Sequence, residues 1–460
     1  MSAPPKKAQH DADGGKGRFG GRYAALKVLQ AVLVKGRSLA SAKSLIIDML
    51  EDPRERSLAM ELANGVLRWR FRLEVVLAEL ISKPLRKKDY DIQLVLLIAL
   101  YQLEAMRTPD YAVVNEAVSQ SRRIGKKWAA AMINGVLRNF LRDREALTTR
   151  VQENPQARFA HPRWLIDLLE QDWPQLAEPI MVANNRRPPM WLRVNTARIT
   201  VDDYLKQLDS QQIAAVRHPY AETALKLDTA LDVGRLPGFE QGLVSVQDVA
   251  AQLAAPLLAA RGGERILDLC AAPGGKTCHV LETADDIDMT AVELDAARMQ
   301  QVQQNLDRLQ LRARLIVGDA SRVDSWWDGQ LFDRILVDAP CSASGVIRRH
   351  PDIKSLRRSE DLAALTLVQQ QILLQSWRML EPGGVLLYVT CSVLKQENDH
   401  QIEQLLATVD DAEVMPVEGE WGRACRYGRQ LLPGDQDADG FYFAQVKKRE
   451  NPVTDTAITR

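Results

Sequence analysis

The sequence predicts a multidomain chain with an all-α amino-terminal bundle, a small α+β unit and a carboxyl-terminal α/β domain with a doubly wound sheet. Three observations predict this order. Apolar residues recur at helical spacing over about 21–145, helix and strand patterns mix over 160–240, and strands alternate with helices over 241–448. The two polar ends are expected to be a disordered basic tail at 1–20 and a flexible tail at 449–460.

Composition indicates a globular protein with an uneven charge distribution. The 460 residues are 46% hydrophobic and 26% charged, and the net charge is zero. Residues 1–160 nevertheless hold 28 Lys and Arg against 17 Asp and Glu, while the remainder holds 32 against 43. A basic amino-terminal third favours a polyanionic partner, although a solvated helical surface explains the charge alone equally well.

Cysteine count and hydropathy limit the compartment. The five cysteines are odd in number and none has zinc-finger spacing, which favours free thiols, a reducing compartment and no metal site. The longest apolar run, 94–100, is too short to span a bilayer, and residues 1–20 lack the apolar core of a signal peptide. We therefore expect a cytoplasmic protein without a membrane segment, and a monomer.

The sequence pattern of the amino-terminal third predicts a helical bundle. Its core helix is expected at 93–103, where the residues are apolar on nearly every side of the helix. Its basic residues form clusters that can lie on one face of the bundle: Arg68, Arg70 and Arg72, then Arg86, Lys87 and Lys88, then Arg122, Arg123, Lys126 and Lys127. Residues 142–160 are polar and are interpreted as a linker.

The next two parts mix helices and strands. In the α+β unit we expect helices at 164–169 and 201–208 and a strand at 190–194, and a helix at 249–260 should precede the α/β domain. The strands expected in the α/β domain are 265–269, 289–294, 313–317, 333–338, 384–390 and 441–446. The helices expected there are 277–283, 296–309 and 360–380.

A glycine turn organises the α/β domain. The strand 265–269 runs into a turn with Pro273, Gly274 and Gly275, and a helix then begins at Lys276 and Thr277. Glycines let a ligand approach the backbone, and the helix start offers free N–H groups. Helix–strand packing explains the turn by itself about as well.

Acidic residues close the next two strands. Glu293, or alternatively Asp295, lies where a nucleoside's ribose hydroxyls are held in such sheets, although helix capping is the better interpretation of Asp295. Asp319 follows the third strand and is either an acceptor for an adenine amino group or a turn aspartate. No Gly-x-Gly-x-x-Gly sequence is present, which disfavours a dinucleotide.

Two thiols follow neighbouring strands. Asp338 and Cys341 follow the fourth strand, and Cys391 follows the fifth. A lone cysteine is usually a small buried hydrophobe, which is our interpretation of Cys278 and Cys425 and of the Cys270 thiol. Two cysteines at equivalent strand ends favour chemistry instead.

These segments resemble the RNA 5-methylcytosine methyltransferases, bacterial 16S ribosomal RNA enzymes in particular. The resemblance rests on 268–277 (DLCAAPGGKT), 338–345 (DAPCSASG), 390–392 (TCS) and 346–354 (VIRRHPDIK). The helical part resembles the RNA-binding domain of the antitermination factor NusB through 63–69, 112–118 and 133–139. The resemblance covers about residues 20–447 and implies a NusB-like bundle and a Rossmann-like class I methyltransferase domain.

The resemblance also implies the cofactor, the substrate and the site residues. S-adenosylmethionine is the cofactor and 16S ribosomal RNA the partner. The residues implied to bind the cofactor are Cys270, Ala271, Ala272, Pro273, Gly274, Gly275, Lys276, Glu293, Asp319 and Asp338. Cys391 is implied to be the nucleophile, Cys341 to assist release, and Asp338 to contact the base as well. Glu293 stands where many members have Asp.

Cytosine chemistry agrees with these roles. Carbon 5 of cytosine is a poor nucleophile until a thiolate adds to carbon 6, and the cytosine must be unstacked to be reached. Arg348, Arg349 and Lys354 are expected to hold flanking phosphates, with ordinary surface charge as the equal alternative. Two other functions stay open: a non-catalytic RNA-binding assembly factor, and a DNA cytosine methyltransferase in which the Pro-Cys thiol attacks. The cysteine pair disfavours the non-catalytic assembly factor. The Thr-Cys motif at 390–391 and the added helical domain disfavour the DNA methyltransferase.

Overall fold

The computed structural model describes residues 20–450. The expectations for the tails at 1–20 and 449–460 fall almost entirely outside the described residues. The chain divides into two compact units, Met1–Val151 and Gln152–Arg460. None of the helices within 20–450 is long and apolar enough to cross a membrane.

The first unit is all helical, as predicted. Its helices are α1 (Gly21–Leu33), α2 (Leu39–Ile46), α3 (Pro53–Leu80), α4 (Tyr90–Ala105), α5 (Asp110–Arg123) and α6 (Ala129–Val151). Every residue of α4 from Leu94 to Leu103 is buried, which confirms the core helix. Helix α3 begins at Pro53, and the side chain of Asp52 accepts a hydrogen bond from Arg54 N to cap it.

The boundary between the two units falls within the expected linker at 142–160, but most of this stretch is helical. Helix α6 continues to Val151 past a non-helical residue at Asp143, and a short helix α7 (Pro155–Phe159) follows. Leu147 and Val151 are buried, four residues apart on one helix face. The polar composition of this stretch concealed that apolar spacing.

The second unit begins with the α+β part. Its helices are α7, α8 (Arg163–Asp172), α9 (Ala177–Asn184) and α10 (Val201–Ser210), and its strands are β1 (Met190–Val194), β2 (Ala215–Arg217), β3 (Ala224–Leu227) and β4 (Val244–Val246). The strands form an antiparallel sheet in the order β2-β3-β1-β4. Tyr204 and Leu208 of α10 pack in one core with Leu192, Val194 and Leu225 of the sheet.

The single helix expected at 249–260 is two short helices. These are α11 (Val249–Gln252) and α12 (Ala254–Leu258). Pro256 lies in the second helix and has no N–H to donate to the carbonyl of Gln252, four residues earlier. The helical spacing was therefore correct, and the proline divides the segment.

The rest of the second unit forms a nine-stranded mixed sheet with helices. Its strands are β5 (Arg265–Leu269), β6 (Asp288–Glu293), β7 (Arg314–Val317), β8 (Phe332–Asp338), β9 (Leu380–Thr390), β10 (Ala412–Met415), β11 (Arg423–Ala424), β12 (Arg429–Leu431) and β13 (Phe441–Lys448). Its helices are α13 (Gly275–Thr283), α14 (Ala296–Leu309), α15 (Ile353–Leu356), α16 (Ser359–Met379) and α17 (Asp399–Thr408). The order is β11-β12-β13-β9-β8-β5-β6-β7, with β10 beside β13.

The topology decides where a ligand can bind. Strands β5 to β9 are parallel, and the chain runs from β5 outward to β7 before it returns to β8 on the other side of β5. Such a reversal leaves a crevice at the carboxyl ends of the strands. The doubly wound prediction is thus confirmed, while β13 adds an antiparallel neighbour to β9.

Candidate active site

The glycine turn joins β5 to α13 with an unusual backbone. Cys270 has φ +63° and Gly274 has φ +93°, and the Ala272–Pro273 peptide is cis. Ala271 N donates to Val292 O of β6 at 3.1 Å, which fixes the turn against the neighbouring strand. Helix α13 therefore begins at the carboxyl edge of the sheet, with the N–H groups of its first turn at that edge.

Glu293, at the end of β6, is 3% exposed and is bound to the turn. Its carboxylate accepts from Ala272 N and from Asp295 N, each at 3.2 Å, and Arg298 Nη1 lies 3.4 Å away. Asp295 caps α14 instead, since its side chain accepts from Ala297 N and Arg298 N. The capping interpretation of Asp295 is confirmed, and Glu293 is the buried acidic group at this edge of the sheet.

Asp319 follows β7 and shapes a turn. Its Oδ1 accepts from Ser321 N at 2.8 Å and from Ser321 Oγ at 2.6 Å. Its backbone carbonyl accepts from Trp326 Nε1 at 3.0 Å. The turn interpretation is therefore realised, and contact of Asp319 with an adenine stays a prediction.

Lys276 and Asp338 connect the turn with β8. Lys276 Nζ lies 2.6 Å from Asp338 Oδ2, and it also lies 5.3 Å from the ring centroid of Phe441. Burial lowers the pKa of Lys276, but Asp338, and to a smaller degree Cys391, raise it above its ordinary value. The lysine is therefore a fixed positive charge near the Cys391 thiol.

Asp268 is a second buried acid at this edge, and the sequence pattern predicted no role for it. Its Oδ2 accepts from Thr277 Oγ1 at 2.5 Å, whereas Oδ1 has no hydrogen-bond partner among the residues that the structure describes. Burial raises the pKa of Asp268 to about 7, although the Thr277 hydrogen bond opposes this. A charged residue among the apolar residues of β5 (Arg265–Leu269) was the available signal.

The two thiols meet beside the Lys276–Asp338 pair. Cys341 Sγ and Cys391 Sγ are 3.4 Å apart because their strands, β8 and β9, are adjacent and parallel. Cys341 is buried, whereas Cys391 is partly exposed. The hydrogen bond with Cys391, together with burial, raises the pKa of Cys341 well above its ordinary value, so Cys341 holds its proton.

The other three cysteines lie in environments that keep them protonated. Burial raises the pKa of the Cys270 thiol, that of Cys278 to about 12 and that of Cys425 to about 11. A nucleophilic cysteine needs its pKa lowered or a base beside it. These environments agree with a structural interpretation of all three thiols.

Two of the three basic residues expected at RNA phosphates, Arg348 and Lys354, are buried, and the third, Arg349, is partly exposed but paired with carboxylates, which corrects that expectation. Arg348 is 2% exposed and donates to Asp439, and Arg349 donates to Asp439, Asp248 and Pro189 O. Lys354 is 1% exposed and donates to Ala160 O at 2.7 Å and Asn185 Oδ1 at 2.9 Å. Their charges are used to join segments of the second unit. The sequence pattern showed these basic residues, but it did not show that Asp248 and Asp439 pair with the two arginines in the folded chain.

The donors and acceptors at this edge suit a nucleoside-containing cationic cofactor. Glu293 and Asp338 offer carboxylate oxygens, and the Asp268 Oδ1 lacks a partner within 20–450. The turn supplies backbone N–H groups and a glycine at positive φ. No group of three His, Cys, Asp or Glu side chains in the described part of the chain is arranged to hold a metal ion.

Comparisons with known proteins agree across the chain. Residues 255–447 match the family model for 16S rRNA methyltransferase RsmB/F, 161–234 match the ferredoxin-like domain of RsmF/B-like methyltransferases, and 21–142 match the NusB family. The α+β unit is thus a ferredoxin-like domain, and the helical part is a NusB domain.

Similar proteins match this chain over nearly their whole length. The chain is 44% identical to ribosomal RNA small subunit methyltransferase B of Vibrio cholerae serotype O1, over 93% of this chain and 97% of that protein. It is 46% identical to the protein of that name from Pseudomonas putida, over 93% and 98%. A crystal structure of PH0851 has a TM-score of 0.77 at 21% identity, over 93% of this chain and 99% of that one, and supports the fold alone.

Proposed function

Because the chain belongs to the RsmB/F family of 16S rRNA methyltransferases, we propose that it methylates carbon 5 of a specific cytosine in 16S ribosomal RNA. The observation that carries this proposal is the pair of thiols, Cys341 and Cys391, 3.4 Å apart at the carboxyl ends of adjacent strands. Methyl transfer to carbon 5 needs a covalent thiol adduct at carbon 6 and later its release. Methylation of a nitrogen or a ribose hydroxyl needs neither thiol.

S-adenosylmethionine is the proposed cofactor, and it supplies a methyl group on a positively charged sulfur. Glu293 would accept from its ribose hydroxyls, and Asp319 would face its adenine. The backbone from Cys270 to Lys276 would line the remainder. The burial of Glu293 supports this role. Two backbone N–H groups fix its carboxylate, and each oxygen can still accept a hydrogen bond from a ribose hydroxyl.

Cys391 is proposed to be the nucleophile. It is the more exposed of the two thiols and so the one that an unstacked base can reach. The ammonium of Lys276 lies near it and is attracted to negative charge on the attacking or leaving sulfur. The Cys391 sulfur bonds to carbon 6, and the electron pair of the 5,6 double bond is delocalised through the ring to N3. N3 then takes up a proton that is relayed through the Asp338 carboxyl group, and it gives the proton back by the same route after methyl transfer.

Cys341 is proposed to act after methyl transfer. Carbon 5 then carries both the methyl group and its original proton. Removal of that proton restores the 5,6 double bond as the bond from Cys391 sulfur to carbon 6 breaks. Cys341 lies beside the leaving sulfur and holds a proton, so it can protonate the departing Cys391 thiolate, and the Cys341 thiolate that results accepts the proton from carbon 5, which leaves both thiols protonated.

The test is the identity of the product. Full-length protein is incubated with unmodified 16S rRNA and labelled S-adenosylmethionine, and the RNA is digested to nucleosides. We expect label in 5-methylcytidine at one position. Label in any other nucleoside, or RNA binding without transfer, would contradict the proposal; the second outcome would favour a non-catalytic assembly factor.

A further inference from the structure

Glu397 is a fully buried carboxylate behind the two thiols. It lies in the 3-10 turn Lys395–Glu397 after β9, and it is 0% exposed. Within residues 20–450 it forms no ion pair, so hydrogen bonds alone compensate the loss of its hydration. A buried carboxylate without a cation is costly and calls for an explanation in function.

Its two oxygens hold the residues that follow both thiols. Oε1 accepts from Ser342 N at 2.7 Å and from Gln369 Nε2 at 3.1 Å. Oε2 accepts from Ser342 Oγ and from Ser392 Oγ, each at 2.5 Å. Ser342 directly follows Cys341, and Ser392 directly follows Cys391. One carboxylate thus joins the ends of β8 and β9 immediately behind the sulfur atoms.

Further hydrogen bonds make this link stiff. Ser344 Oγ lies 3.0 Å from Ser392 Oγ, and Gly345 N donates to Cys391 O at 2.9 Å. Tyr388 OH donates to the Glu397 carbonyl at 2.7 Å, so the backbone of the turn is held as well as its side chain. The side chains of this network are buried, and a buried network of hydrogen bonds favours a single arrangement, although Gln369 Oε1 has no hydrogen-bond partner among the residues that the structure describes.

We propose that Glu397 is a positioning residue that sets the separation and direction of the Cys341 and Cys391 thiols for attack and release. Strands β8 and β9 end at Asp338 and Thr390, and both thiols lie beyond those ends. The Glu397 carboxylate takes the place of the strand pairing there. Glu397 does not touch the substrate in this arrangement; it acts through the two serines.

The inference rests on the proposed function and is tested with three full-length variants. Glu397→Ala removes both oxygens. In Glu397→Gln the amide oxygen still accepts from Ser342 N and Gln369 Nε2. The amide NH2 group replaces Oε2 and can donate to the Ser342 and Ser392 hydroxyls once these reorient. Glu264→Ala is the matched control, because Glu264 pairs with Arg334 of β8 at the opposite edge of the same sheet, 2.6 Å away.

The measurements are the single-turnover rate of methyl transfer, the yield of protein–RNA adduct, the affinities for RNA and cofactor, and the melting temperature. Displacement of a reacting group by about 1 Å costs on the order of a hundredfold in rate, so we expect a loss of about that size for Glu397→Ala. The affinities of Glu397→Ala for RNA and cofactor should stay within roughly twofold of the wild-type values, because Glu397 does not contribute to binding of the ground state. Glu397→Gln should recover most of the rate, and Glu264→Ala should retain the wild-type rate despite a lower melting temperature.

Several outcomes would overturn the role of Glu397. These are a wild-type rate in Glu397→Ala, an equal loss of rate in Glu264→Ala, or no recovery in Glu397→Gln. If the alanine variant does not fold, Ser342→Ala and Ser392→Ala decide, because each removes one hydroxyl from Oε2; wild-type rates in both overturn the inference. If the wild-type protein itself makes no 5-methylcytidine, the proposed function fails instead, so the two failures are distinguishable.

Discussion

Lys276 Nζ lies 2.6 Å from Asp338 Oδ2, and this contact joins the start of α13 to the end of β8. Both side chains are largely buried, at 11% and 26% exposure. The pair therefore connects the turn proposed to hold the cofactor with the strand that leads to Cys341. It is the one ion pair among the described residues that joins the glycine turn to Asp338.

We expect Lys276 and Asp338 to be energetically coupled. Loss of one partner of a buried pair leaves an uncompensated charge and costs roughly 3–5 kcal/mol at full burial, and less at this partial exposure. Lys276→Met and Asp338→Asn should each lower the free energy of unfolding in urea. The double variant should lose less than the sum of the two, by about 1–3 kcal/mol. Additive losses would show that the contact contributes little to stability.

The two thiols should differ in what their loss does to the RNA. Cys391→Ala should abolish methyl transfer and any covalent adduct, because the attacking sulfur is gone. Cys341→Ala should still permit attack and transfer, so protein-linked RNA should accumulate and persist in denaturing electrophoresis as a carbon–sulfur bond. Cys425→Ala, which removes a thiol that follows β11 rather than β8 or β9, should behave as the wild type. Accumulated adduct in Cys391→Ala together with none in Cys341→Ala would reverse the roles.

The helical unit should contribute RNA affinity and little cofactor affinity. Residues 1–151 form one compact unit with 27 Lys and Arg against 16 Asp and Glu. Their removal should weaken binding of 16S rRNA and flatten its dependence on salt, since fewer counterions are released. Calorimetric titration with S-adenosylmethionine should be nearly unchanged. Equal RNA affinity and equal salt slopes with and without the unit would show that its basic residues only face solvent.

Asp268 should make stability depend on pH near neutrality. Its pKa of about 7 in the folded protein exceeds the ordinary value of 3.8, so the folded state binds the proton more tightly. The resulting stabilisation is complete below about pH 4 and is lost as the pH rises through about 7. Relative to Asp268→Asn, which cannot titrate, the wild type should therefore lose up to about 4 kcal/mol of unfolding free energy between pH 4 and 8. Urea denaturation across this range measures it; a pH-independent difference would contradict it.

Arg348 should matter for folding rather than for RNA binding. Its guanidinium is buried against Asp439, with the Asp437 carbonyl 2.8 Å from Nη2. Arg348→Ala leaves Asp439 without one of its two arginine partners, and we expect a loss on the order of 3 kcal/mol in unfolding free energy. The salt dependence of RNA binding by the folded fraction should be unchanged. A flatter salt slope with unchanged stability would restore the phosphate-binding interpretation.

The sequence by itself determined the local features of this protein. Runs of branched apolar residues specified the parallel strands, of which β5 has the predicted bounds, and β1 of the antiparallel sheet has its predicted bounds as well. The glycine turn after β5, and the cysteines after two later strands, were readable because backbone breaks and strand ends are local in the chain. Parallel strands bring their carboxyl ends to one edge, so the sequence pattern alone was enough to predict that Asp338, Cys341 and Cys391 lie close together.

Only the tertiary structure decided which charges are available. Arg348 and Lys354 lie in a basic segment, yet their partners, Asp439 and the Ala160 carbonyl, come from distant parts of the chain. Glu397 looks like any polar turn residue until β8 and β9 place Ser342 and Ser392 around it. Burial and hydrogen bonding depend on contacts between residues that are far apart in sequence. The periodicity of apolar residues along the chain does not show which of these contacts form.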